Sequence, residues 1–365
     1  MLNKLRLIAE QRNLKTLVIS APDNLEYFTG VPSTGDAMGL LTYDRSGDVV
    51  SIYVPLLEYQ RYRDALPDTV TVYAVSRSLK PSDVPVVPLD WVDVVKQYAV
   101  DSVGVDLSHP GPLQKTILDA IGGRGVDISN DVWRLRVIKD NREVNAVMNA
   151  VKVTIKGIKA VESSIREDVT ETQLVGVFER TVRDHGVGRL AFDPIVAFKP
   201  NNAYPHAVPG SKRIAPRDLV LIDVGVKING RCSDLTRMIL KKRPLPEERR
   251  SIEAVVEAVE TAIDTIAPGV KASDVYEASA RVLEKYGLRE KFIHGLGHGI
   301  GVVVHEPPYL RHGSDAVLEP GMIFTIEPGV YIPGRYGVRV EEDVLVTKKG
   351  RRVLSYSLDE VLESL

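Results

Sequence analysis

Val220-Leu221-Ile222-Asp223-Val224-Gly225 sets a single carboxylate inside an apolar run that reads as a buried strand. A carboxylate in that position loses its water without compensation, so a metal or a partner has to neutralise it. The following Lys227-Ile228-Asn229-Gly230-Arg231 carries Asn-Gly between two alternating runs, the sequence of a two-residue hairpin turn whose central residues both take positive φ. Pairing Ile228 with Arg231 places Asp223 opposite Thr236 and Asp234 opposite Gly225. The two aspartates then share one face as diagonal neighbours, their backbones roughly 7–8 Å apart, and can converge on one ion. Gly225 is expected to leave room there for a second metal or for substrate. Two hydrogen-bonded structural aspartates are the plain alternative, but two carboxylates on one apolar face repel unless cations neutralise them.

Three further residues of ligating type interrupt apolar or Gly-rich stretches: His298, Glu327 and Glu341. In His294-Gly295-Leu296-Gly297-His298-Gly299-Ile300-Gly301 the histidines have i, i+4 spacing, yet glycine at alternate positions is a poor helix composition. The pattern predicts strand or loop backbone passing close to something bulky. His298 reads as a ligand, and His305, after the apolar Val302-Val303-Val304, as a supporting group. His109 and His185 are read as hydrogen-bonded core imidazoles. Glu327 follows Met322-Ile323-Phe324-Thr325-Ile326, and Glu341 follows Val338-Arg339-Val340, so each acid is expected on a strand, with Glu342 and Asp343 read as solvated neighbours. Four carboxylates and one neutral imidazole carry −4, which balances two divalent cations, and the oxygen-rich set favours Mn, Co or Zn.

At 365 residues the chain exceeds what one core usually serves, so two domains are expected. The first third alternates strand-like runs (16–20, 39–43, 49–54, 103–107) with amphipathic ones (55–66, 113–121), a small α/β pattern with a Pro-rich loop at 81–88. The character changes near residue 133. From 135 to 165 helix formers dominate, a further helix is expected at 170–185, and strands broken by helices at 246–266 and 272–286 complete a mixed α+β second domain. The expected domains are therefore 1–133 and 134–365. With 47 basic and 49 acidic side chains, a net charge of −2 and no block of like charges, nucleic acid is not an expected partner. Cys232 is the only cysteine, which excludes an internal disulfide and suits a reducing compartment. The absence of a run of about 18 apolar residues predicts a cytoplasmic protein with no membrane partner.

Leu221–Gly225, Ser233-Asp234-Leu235-Thr236-Arg237, 295–301, His305-Glu306-Pro307-Pro308, 325–329 and 338–343, together with Tyr204-Pro205-His206, resemble the creatinase/prolidase-like metallopeptidases of the pita-bread fold. Residues 17–24 and 27–30 resemble the creatinase-type amino-terminal domain, so the likeness covers nearly the whole chain. It implies a pita-bread catalytic domain preceded by a smaller α/β domain, and two divalent metals per subunit (Mn, Co or Zn) on Asp223, Asp234, His298, Glu327 and Glu341, with Asp234 and Glu341 bridging. It also implies catalytic roles for His206 and His305. The best-fitting subgroup is the Xaa-Pro peptidases, acting on peptides with proline at the second position and commonly homodimeric.

On that reading water bridging two cations is acidified to a pKa of about 7 and becomes the nucleophile. Glu327 relays its proton, while His305 or His206 donates to the oxyanion. Arg311, Arg339 and Tyr309 are the candidate substrate contacts; dipeptide-restricted relatives often carry an arginine after the His-Glu pair, where this chain has Pro308-Tyr309-Leu310 and then Arg311. A metal-free creatinase-like amidinohydrolase and a non-enzymatic binding relative are the competing accounts, and both predict eroded ligand positions.

Overall fold

A computed structural model of the chain describes residues 1–33, 39–98, 102–108, 112–123, 125–240 and 242–355. His109 lies outside them. The backbone divides into two compact units, Met1–Arg136 and Val137–Leu365.

In the first unit a mixed seven-stranded sheet has the order β5-β4-β3-β2-β1-β6-β7, formed by β1 (Thr16–Ile19), β2 (Leu40–Asp44), β3 (Val49–Pro55), β4 (Val70–Val75), β5 (Val86–Val87), β6 (Val103–Val105) and β7 (Val126–Asp127). Helices α1 (Leu2–Gln11), α2 (Pro22–Thr29), α3 (Tyr59–Ala65), α4 (Trp91–Lys96), α5 (Pro112–Ala120) and α6 (Ser129–Val137) alternate with the strands. The Pro-rich segment expected as loop contains β5, which pairs with β4 because its two valines present free backbone groups between prolines. Residue 133 lies inside α6.

The helical stretch expected from 135 to 165 is broken in two. α6 stops at Val137, and Asp140 begins α7 (Asn141–Ser163) with a capping box: its carboxylate accepts from the Arg142 and Glu143 N–H groups, and the Glu143 carboxylate accepts from the Asp140 N–H. The remaining helices are α8 (Glu171–Asp184), α9 (Pro246–Thr265) and α10 (Ala272–Lys285). His185 is exposed rather than in a core; it bonds the Thr181 carbonyl at the end of α8.

The strands of the second unit are β8 (Arg189–Leu190), β9 (Ile195–Phe198), β10 (Leu219–Val224), β11 (Val226–Ile228), β12 (Arg231–Cys232), β13 (Leu235–Leu240), β14 (Gly297–Gly299), β15 (Glu306–Leu310), β16 (Ile323–Ile326), β17 (Gly329–Ile332), β18 (Tyr336–Arg339), β19 (Glu342–Thr347) and β20 (Gly350–Val353). They form sheets β13-β10-β9, β12-β11-β8, β15-β14-β16-β19-β20 and β17-β18. β10 shows how the sheet is sandwiched: Leu219 and Leu221 join the core that includes α9 and α10, while Val220, Ile222 and Val224 join the one built with α7 and α8. Burial on both faces is why this strand reads as continuous apolar sequence. Asp223 points to the Leu221 side, where strand alternation sends it.

The hairpin register is as expected from Asn-Gly. Asn229 and Gly230 have φ of 48° and 72°, Ile228 pairs with Arg231, and Asp223 stands opposite Thr236. The role of Gly225 differs. A Cβ there would run into the Ser233 carbonyl oxygen and lie 2.8 Å from the Phe192 ring, so its missing side chain makes room for the protein itself and not for a ligand. Gly225→Ala is expected to lower stability in urea unfolding by about 1–3 kcal/mol, as overpacking against backbone does. Gly176→Ala at an exposed position of α8, where nothing lies within 4 Å, is expected to raise it by roughly 0.5–1 kcal/mol.

Candidate metal centre

Five strand ends deliver the ligating side chains to one place. Asp223 comes from β10, Asp234 from the step between β12 and β13, His298 from β14, Glu327 from just beyond β16 and Glu341 from between β18 and β19. All five line one cavity of about 840 Å³, together with His206, His305, Tyr309, Arg311 and Arg339. Each residue singled out in the sequence therefore faces the same space. Ligand atoms of Asp234, His298 and Glu341 lie within 4.8 Å of one another. The His298 Nε2 is 3.3 Å from Glu327 Oε1 and 3.8 Å from Asp234 Oδ2.

The alternating glycines act through neighbouring strands. A Cβ on Gly297 would strike the Thr325 carbonyl, and one on Gly299 the Pro307 carbonyl. The bulky neighbour expected from the sequence is backbone on either side of β14. Thr325 Oγ accepts from the His298 N–H at 3.1 Å, and His298 Nδ1 lies 3.2 Å from the Gly299 carbonyl, which places the proton of the neutral ring on Nδ1 and leaves Nε2 facing the carboxylates.

Electrostatics sets this cluster apart. Burial, reinforced by the surrounding carboxylates, holds Asp234 and Glu341 well above the usual carboxylate range. Burial raises Asp223 as well, despite the Arg339 guanidinium bound to it, and its Oδ1 is buried with no hydrogen-bond partner. Burial would also raise Glu327, but the hydrogen bond and charge of His298 outweigh it and hold Glu327 low, while His298 is raised in return. Burial, followed by the charge of His298, pushes His305 down to about 4, so its ring is neutral at physiological pH; the two rings are 4.2 Å apart.

Supporting groups complete the frame. Thr236 Oγ donates to Glu341 at 2.7 Å, and Arg339 donates to Thr236 Oγ at 3.1 Å and to the Tyr331 hydroxyl at 2.7 Å. Arg339 is thus engaged by Asp223 and Tyr331, whereas Arg311 is exposed at the cavity, 5.8 Å from the Tyr309 ring. Glu342 and Asp343 are not solvated: both are fully buried, Glu342 pairs with Arg237, and Asp343 accepts from the Asp234 N–H at 3.2 Å. His294 was not singled out. It lines the cavity and contacts the Tyr331 hydroxyl at 3.0 Å through Nε2; its place in the same Gly-alternating segment as His298, just before β14, is the sequence signal for it.

The donor set fits divalent cations. Oxygens outnumber the single imidazole nitrogen, no thiolate takes part, and the buried negative charge needs compensation beyond Arg339.

Comparison with known proteins agrees with this geometry. The profile of metallopeptidase family M24 matches residues 145–348, and that of the creatinase/prolidase N-terminal domain matches residues 1–138. The chain is 30% identical over 364 residues to an Xaa-Pro dipeptidase of Pyrococcus furiosus, covering 99% of both. The crystal structure of prolidase from Pyrococcus furiosus superposes with a TM-score of 0.81 at 30% identity, covering 96% of this chain and 99% of that one. An Xaa-Pro dipeptidase from Bacillus anthracis gives 0.85 at 26% identity, covering 98% and 97%. The chain belongs to metallopeptidase family M24, as a divalent-metal-dependent pita-bread enzyme with a creatinase-type N-terminal domain.

Proposed function

We propose that this enzyme hydrolyses the bond before proline in peptides of the form Xaa-Pro, and that Asp223, Asp234, His298, Glu327 and Glu341 would hold two divalent metals (Mn, Co or Zn). The observation that carries the reading is the convergence of these five side chains with His206 and His305 on one cavity. The names of the relatives above support the choice of proline. A bound divalent metal supplies Lewis-acid chemistry, polarising a carbonyl and acidifying water.

The chain's own groups do the rest. Glu327 takes a proton from the attacking water at Oε and passes it to the proline nitrogen. Neutral His305 donates a ring N–H to the developing oxyanion, with His206 facing the same cavity as the second donor. Proline lacks an N–H, so the pocket need not offer an acceptor there. Arg339 orients Asp223, and Arg311 beside Tyr309 meets the substrate carboxylate. The assembly is a homodimer in the cytoplasm on this reading. A monomeric elution profile would overturn the dimer. Among the described residues no helix is long and apolar enough to cross a membrane.

Enzyme stripped with a chelator is expected to lose hydrolysis of Ala-Pro and regain it with Mn or Co; wild type that stays inert with stoichiometric metal overturns the proposal. Because Arg311 is exposed, its ion pair is worth at most about 1 kcal/mol, so Arg311→Ala should raise KM for Ala-Pro up to about fivefold and leave Ala-Pro-Ala unchanged. Metal-free protein should also show a defined pH dependence. Raised folded-state values mean the native state binds more protons than the unfolded one, so stability falls as pH rises above the ordinary carboxylate values of 3.8 and 4.5. The fall continues to the region of Asp343, which burial lifts to about 8. Added Mn should reverse it, read as the thermal midpoint at pH 5 and 8 with and without metal.

A further inference from the structure

His305 enters the cavity from a place where the sheet alone does not hold the backbone. Pairing between β14 and β15 shifts register between His298 and Gly299, and Pro307 and Pro308 have no N–H to give to a ladder. Residues 301–305, which lead to His305, belong to neither helix nor strand.

What does hold this segment is the adjacent residue. Glu306 turns to the side opposite His305, packs against Gly301, where a Cβ would run into its carboxylate, and pairs with Lys139 Nζ at 2.9 Å. Both side chains of the pair are 1% exposed. Lys139 is fixed in turn: its N–H donates to the Gly321 carbonyl at 2.9 Å, and Asp140 beside it caps α7. The same first turn of α7 carries Glu143, which accepts two bonds from Arg231, at 2.6 and 3.1 Å. Arg231 lies in β12, the strand that leads to Asp234, and the next residue, Cys232, donates its N–H to the Gly301 carbonyl at 2.8 Å. Two buried ion pairs from one helix start thus tie together the segments that carry Asp234 and His305.

We propose that Lys139 is a positioning residue for the peptidase reaction: its buried pair with Glu306 fixes the backbone from which His305 reaches the substrate. The inference rests on the role of His305 given above. Neither Lys139 nor Glu306 lines the cavity, so the effect passes through His305 and leaves metal binding intact.

The test is a double-mutant cycle on the full-length enzyme. Lys139→Met with Glu306→Met removes both charges together, because one left alone in the interior would unfold the site for a trivial reason. Expected results are cooperative thermal unfolding, Mn binding by calorimetry with wild-type stoichiometry, KM for Ala-Pro within about twofold, and kcat at least about tenfold lower, as displacement of a catalytic group produces. In a His305→Ala background the same pair of substitutions should cost less than about twofold. Equal losses in both backgrounds, or unchanged kcat in the first, overturn the proposal. Lys139→Met with Glu306→Gln, which also removes both charges, carries the same cycle if the first double variant does not fold. Wild type inert on Ala-Pro removes the functional reading and this inference together; active wild type with an unaffected variant removes only the inference.

Discussion

Mutual repulsion among carboxylates in an apolar interior is the interaction on which the rest of this structure depends. Asp234 and Glu341 have ligand atoms within 4.8 Å of each other; at an effective dielectric near 20, two full charges at that range repel by at least about 3 kcal/mol. Asp223 and Glu327 face the same cavity, and the Arg339 guanidinium lining it pairs with Asp223. Such a group survives only if protons or cations neutralise it and if the surrounding frame prevents the side chains from swinging away.

The frame is built from strands that need not be adjacent in sequence. β10 is packed on both faces, with Leu219 and Leu221 in one core and Val220, Ile222 and Val224 in the other, and Asp223 on it is paired with Arg339. Thr236 holds Glu341, Asp343 accepts from the Asp234 backbone, and Thr325 binds the His298 backbone. One of these bonds braces a ligating side chain, and the other two brace the backbones that carry Asp234 and His298. The glycines of β14 and Gly225 serve the same end by allowing neighbouring backbones to approach, which brings strand ends from separate sheets to a common cavity.

Division of labour among the cations follows from burial. Arg339, 3% exposed, lines the cavity and is held by Asp223, Thr236, Tyr331 and the Pro205 carbonyl. Arg311 retains solvent and a free approach to the cavity. If Arg311 meets the substrate carboxylate, as proposed above, discrimination between a dipeptide and a continuing chain rests on a screened, exposed cation and is modest for the same reason that exposed ion pairs are weak.

The sequence by itself determined whatever depends on short-range geometry: the Asn-Gly turn and its register, the two-faced burial of β10, the rejection of a helix for the Gly-alternating histidines, and the ligating residue types, because each follows from local backbone preference or strand period. Tertiary structure decided what each of those residues touches. Arg339 binds Asp223 from 116 positions away, Asp343 meets the Asp234 backbone from 109, and Lys139 meets Glu306 from 167. No periodicity encodes such contacts, which is why Glu342 and Asp343 read as solvated and Gly225 as space for a ligand. Partners of a buried charge are set by which strands the fold brings together, and that is a property of the packed chain rather than of any stretch of it.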